Sequence, residues 1–75
     1  MKTVDFLRRL ADILDHDGEI TPDQDISTID EWDSLGVLSV IVFLSELGVL
    51  YDPEVIRGIS NISELLKIVN GVVDG

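Results

Sequence analysis

Apolar residues along this chain recur at helical spacing, and no stretch alternates in the manner of a strand. From Thr3 to about Asp15, Phe6, Leu10, Ile13 and Leu14 fall at i, i+4, i+7 and i+8. Val4 and Leu7 share that broad face, while Arg8, Arg9 and Asp12 take the other side. Thr3 is placed to cap this first helix, and Asp5 favours its first turn.

A long loop is expected next, from Asp15 to about Asp33. His16-Asp17-Gly18, Thr21-Pro22-Asp23 and Ser27-Thr28 are turn formers. Ile20, Ile26, Ile29 and Trp32 punctuate the loop and are expected to peg it onto the bundle. Ordered loops of this length are uncommon in small domains and usually functional.

The second helix is predicted from Ser34 to about Leu47, with Ser34 as N-cap and Gly48 closing it. Asp52-Pro53-Glu54 opens a short helix, with Asp52 as cap and Pro53 in the first turn, ending near Gly58. The last helix begins between Ser60 and Ser63 and runs to about Asn70. Ile62, Leu65, Leu66 and Val69 form its apolar face, and Gly71 stops it. Val72 to Gly75 reads as a frayed tail. The fold class that follows is all-α: an irregular four-helix bundle, three main helices plus one short one, with the long loop between helices 1 and 2.

Length and composition narrow the chemistry. Seventy-five residues form one domain, 1–75, with little room for a deep enclosed active site. The absence of Cys excludes disulfides, a thiolate nucleophile and Cys-ligated zinc, and the single His16 excludes a multi-histidine metal site. The first residues, Met1-Lys2-Thr3-Val4-Asp5, contain no long apolar run, so neither a signal peptide nor a membrane span is expected. Fifteen Asp and Glu oppose five Lys and Arg, a net charge of −10. No Lys or Arg lies between Arg9 and Arg57, a window whose first half holds Asp12, Asp15, Asp17, Glu19, Asp23, Asp25, Asp30, Glu31 and Asp33. Such a field disfavours nucleic acid and anionic membrane surfaces, and it attracts basic protein patches and divalent cations. Solubility alone accounts for acidity in most small domains. It does not account for a middle stretch without one basic residue.

Ser34 stands at a predicted helix start, after the longest loop and within the most acidic region. A phosphate ester there would meet backbone N–H groups and the positive end of the helix dipole. Plain N-capping explains most serines placed ahead of an apolar helix. The wider context points further. Glu31-Trp32-Asp33-Ser34-Leu35-Gly36, the first-helix pattern Val4–Leu14, the acidic loop, and the downstream framework of Leu44, Gly48, Asp52-Pro53, Ile59, Ile62 and Leu65 together resemble the acyl carrier protein family, which includes peptidyl carrier domains. The resemblance extends over nearly the whole chain. It implies that Ser34 is esterified by 4′-phosphopantetheine, donated from coenzyme A by a phosphopantetheinyl transferase. By the same resemblance, Asp33 contributes to recognition by that transferase, and Leu35 contacts the transferase and the base of the arm. The arm's thiol would hold acyl or aminoacyl cargo as a thioester for loading and transfer enzymes. The protein itself would be a cytoplasmic monomer and not an enzyme.

The chain departs from that pattern after Ser34. Family members serving fatty acid synthesis usually carry several acids on the following helix, whereas this one reads Leu35-Gly36-Val37-Leu38-Ser39-Val40-Ile41-Val42-Phe43-Leu44-Ser45-Glu46, with a single acid near its end. Val37, Val40, Ile41, Leu44 and Leu47 define the expected core face. Ser39 and Glu46 mark the opposite stripe, with Val42 inside it and Leu38 and Phe43 flanking. Two readings are open. Leu38, Val42 and Phe43, with Glu46, form a partner-recognition surface, or the helix is buried all round. The departure favours a dedicated partner set in a specialised pathway. Aliphatic cargo could enter the bundle if Leu44, Ile59, Ile62 and Leu66 part.

Other chemistries fit less well. Asp15, Asp17 and Gly18 match positions 3, 5 and 6 of a calcium-binding EF-hand loop, but positions 1 and 12 are Ile13 and Gln24. Ser34, His16 and an Asp could be grouped as a triad, yet nothing supplies an oxyanion hole. His16 is expected to be a solvated loop residue. Trp32 is expected to anchor the loop and help set the geometry beside Ser34. An acidic helical interaction module, or a calcium-binding protein, with no prosthetic group is the remaining alternative.

Overall fold

The computed structural model describes Met1–Asp74 and has four α-helices, α1 (Thr3–Leu14), α2 (Ser34–Glu46), α3 (Pro53–Arg57) and α4 (Ile62–Ile68), with a single 3₁₀ turn, Ile26–Thr28, inside the first loop. Among the described residues there is no strand, and none of the helices is long and apolar enough to cross a membrane. This is the irregular all-α bundle expected from the periodicity.

Helix α1 buries Phe6, Leu7, Leu10 and Leu14, with Ile13 partly covered. Val4, expected on that face, is 52% exposed. Thr3 does not cap the helix. Lys2 takes the N-cap position without a side-chain hydrogen bond. The C-terminal segment lies alongside this end of the helix, with Thr3 N–H donating to the Asp74 carbonyl and Asp74 N–H to the Met1 carbonyl. The tail expected to fray is therefore held as far as Asp74, with Val73 buried, and Gly75 lies outside the described residues. At the other end Asp15 adopts a left-handed conformation (φ 54°), one that Asp tolerates better than most side chains. Its N–H donates to the Asp12 carbonyl and that of His16 to Ala11, closing the helix and turning His16 back toward the bundle.

The long loop is fastened along its length. Ile20 and Ile29 are buried, and Ile26 and Trp32 pack partly against the core. Asp25 caps the 3₁₀ turn by accepting from Ser27 N–H. Reciprocal backbone bonds, Ile26 N–H to Ser60 and Ile62 N–H to Gln24, stitch the loop to the start of α4.

Helix α2 ends at Glu46, and Gly48 (φ 84°) follows the Leu47 cap. Gly48 N–H donates to Ser45 and Val49 N–H to Leu44, the paired bonds of a Schellman motif. Helix α3 starts as expected, with Asp52 accepting from Glu54 N–H and Pro53 leading the first turn. In α4, Asn61 caps through Glu64 N–H, and the Glu64 carboxylate reaches back to Ser60 N–H. This helix stops at Ile68, short of the expected Asn70, with Val69 still buried in the turn that follows.

Candidate functional site

Asp33, Ser34 and Leu35 come together at the start of α2, but with one exchange of roles. Ser34 was expected to be the N-cap. The cap is Asp33, whose Oδ1 accepts from Gly36 N–H at 2.9 Å. A carboxylate is the stronger acceptor for an orphan N–H at the positive end of a helix. Ser34 moves to the first helical position, exposed to solvent, and its hydroxyl makes no hydrogen bond among the described residues. The N–H groups of Ser34 and Leu35 likewise have no internal acceptor there, as first-turn donors do not. Leu35 is 77% exposed beside them. A recess of about 220 Å³ is lined by residues on either side of the serine, Asp33 and Leu35, with Gly36, Ser39 and Ile13, but not by Ser34 itself.

The segment leading to Ser34 is held from two sides. His16 Nδ1 lies 2.6 Å from Glu31 Oε1, tying the end of α1 to the loop fifteen residues later. The imidazole's side chain is only 12% exposed, so His16 is not the solvated loop residue expected. Its hydrogen bond holds the Glu31 carboxyl below the usual range, helped by the Glu31 backbone and by the charge of His16, against desolvation and the nearby Asp33. On the other side, the Glu31 carbonyl rests against Gly36. A Cβ there would overlap that oxygen and come within 3.1 Å of Leu14 Cδ2. Trp32, next in the chain, packs partly against the core, and its indole N–H is buried with no acceptor among the described residues.

The faces of α2 divide the side chains expected in its core from those expected on a recognition surface. Val37, Val40 and Leu44 are buried as expected, while Ile41 and Leu47 are partly covered. Leu38 and Val42 are 57% and 53% exposed, and Glu46 is exposed at the far end. Phe43 is not part of that surface. It is 3% exposed, stacked on Phe6 with centroids 5.4 Å apart, and the Arg9 guanidinium lies 5.6 Å from its ring centroid. Phe43 shares the face of Gly36, seven residues earlier, and that face turns toward α1. The exposed stripe is thus Leu35, Leu38 and Val42. A groove of about 470 Å³ beside it is lined by Ile13, Leu38, Ser39, Val42, Phe43 and Glu46.

The acids of the loop stay dispersed. Among the described residues no three His, Asp or Glu side chains gather as a metal cluster, and Asp15 and Asp17 are not joined by further ligands. His16 is engaged with Glu31, not Ser34. Leu44 and Ile62 are closed off in the core and Ile59 nearly so, with Leu66 partly covered. The His16–Glu31 pair and the Gly36 contact were missed from sequence. A glycine within an otherwise apolar helix start was the available signal for the second; the first leaves no local pattern.

No family model, curated protein or solved structure gives a significant match to this chain.

Proposed function

We propose that this chain is a carrier domain of the acyl carrier protein kind, with 4′-phosphopantetheine esterified on Ser34. The observation that carries the reading is the division of labour at the start of α2: Asp33 caps the helix, leaving the Ser34 hydroxyl exposed and uncommitted. A serine needed for its cap would lose that bond on modification; this one loses none. The arm would be held at its base by the exposed Leu35 and the recess along Gly36 and Ser39, with the free N–H groups of Ser34 and Leu35 near its phosphate. When bound, the arm supplies a thiol that carries acyl or aminoacyl cargo as a thioester. The domain's own part is tethering and presentation, and the catalytic steps belong to partner enzymes.

The exposed stripe of Leu35, Leu38 and Val42, with Glu46 at its end, is the surface we assign to those partners: a phosphopantetheinyl transferase and the enzymes that load and receive cargo. With a single acid on α2, docking would rest on apolar contact more than on charge, as suits a dedicated partner set in a specialised pathway. A cytoplasmic, monomeric protein goes with this reading. The same stripe also suits an acidic interaction module without a prosthetic group. Incubation with coenzyme A, magnesium and a broad-specificity transferase separates the two, since only the carrier gains mass, and only with Ser34 intact.

A further inference from the structure

The contacts around Glu31 form a clamp on the segment that delivers Ser34, and we propose that His16 is a positioning residue for the Ser34 site. His16 reaches from the end of α1 and holds the Glu31 carboxylate at 2.6 Å. The main chain of the same residue is pressed into the notch left by the missing Cβ of Gly36, in the first turn of α2. One residue is thereby fixed through both its side chain and its carbonyl. Only Trp32 and Asp33 separate it from Ser34, and Asp33 caps the helix through the N–H of the same Gly36. Gly36 is therefore the common floor for the Glu31 carbonyl and the Asp33 carboxylate.

Trp32, which follows Glu31, packs partly against the core, and its indole N–H is buried with no acceptor among the described residues. The His16–Glu31 bond holds the segment that carries it. Loss of the bond lets Trp32 turn outward, loosens the Asp33 cap and blurs the presentation of Ser34 to an incoming enzyme. The role in loading rests on the carrier reading above; the clamp itself does not.

The test compares the parent with His16→Ala, Glu31→Ala, the double variant and Glu31→Gln, whose amide oxygen still accepts from an imidazole N–H. Amide NMR of Ser34, Leu35 and Gly36, with acrylamide quenching of the single Trp32, reads the clamp without any cofactor. Helix content by circular dichroism confirms that each variant is folded. In the two alanine variants the Ser34–Gly36 amides should shift and broaden and Trp32 become more quenchable. Glu31→Gln should stay near the parent, and the double variant should add little to either single one. Transferase loading should fall about tenfold in kcat/KM for the alanine variants and recover in Glu31→Gln. Unchanged amides and quenching in folded His16→Ala overturn the clamp, and loading at the parental rate in that variant overturns its role at Ser34. A parent that is never loaded refutes the carrier reading instead, and the NMR and quenching still decide the clamp.

Discussion

Asp33 accepts the Gly36 N–H at 2.9 Å, and this bond decides what Ser34 is free to do. Side-chain capping of α2 is complete without the serine. Replacing Asp33 with Ala should cost about 1 kcal/mol of stability, the usual worth of an N-cap. Ser34→Ala should stay within about 0.5 kcal/mol of the parent, as for an exposed residue with no contact to lose. Urea unfolding of the two variants checks the assignment. The opposite ranking would return the cap to Ser34.

Gly36→Ala tests how closely the Glu31 carbonyl approaches α2. Helix propensity alone favours the substitution by about 1 kcal/mol. The new Cβ, however, overlaps main-chain atoms that cannot swing aside as a flexible side chain would. The expected result is a net loss of about 2 kcal/mol or more. Gly71→Ala, with nothing within 4 Å of its Cβ, should be close to neutral. Thermal unfolding of the pair gives the comparison.

Acid should weaken the His16–Glu31 contact. The Glu31 carboxyl is depressed in the folded protein, chiefly by the hydrogen bond from His16. Its contribution to stability is then fully present above the ordinary value of 4.5 and fades as the pH falls through the lower folded value. Asp25, depressed by the Ser27 N–H, behaves in the same sense and provides a background common to parent and variant. Unfolding free energies measured between pH 6 and 3 should therefore decline more steeply for the parent than for Glu31→Gln. Parallel curves would remove Glu31 from the acid response.

Two side chains one residue apart should behave differently. Phe43→Ala removes a ring stacked on Phe6 in the core, and losses of this kind run to about 3–5 kcal/mol. That approaches the entire stability expected of a domain this small, so substantial unfolding is expected. Val42→Ser, at a site 53% exposed, and Leu38→Ser, at one 57% exposed, should leave the fold intact. Under the carrier reading, the pair together should raise the KM for transferase loading about fivefold with kcat little changed. Circular dichroism and loading kinetics separate the two effects.

Elements governed by local chemistry were legible in the sequence. Asp52-Pro53 marks the start of α3, Gly48 the end of α2, and the spacing of Phe6, Leu10 and Leu14 the inner face of α1. What escaped depends on contacts between distant segments. Thr3 is not the cap because the helix begins at Thr3 itself, where Asp74, at the far end of the chain, accepts its N–H. Phe43 flanks the Ser39 and Glu46 stripe on a helical wheel, yet it is buried and stacked on Phe6 of α1. His16 and Glu31 both look like loop residues until the left-handed Asp15 turns one toward the other. At the site itself, Asp33 and Ser34 were found together, but their order of duty was not. Both are good N-caps, and the choice rests on where the first helical turn begins.

Under the carrier reading, Ser34 carries the arm. The most direct measurement is the intact mass of the protein after incubation with coenzyme A, magnesium and a broad-specificity phosphopantetheinyl transferase, with fragmentation to locate any added group and Ser34→Ala in parallel. One phosphopantetheine on Ser34, and none on the variant, is the expected result. No added mass with more than one transferase, or addition that persists in Ser34→Ala, would contradict it.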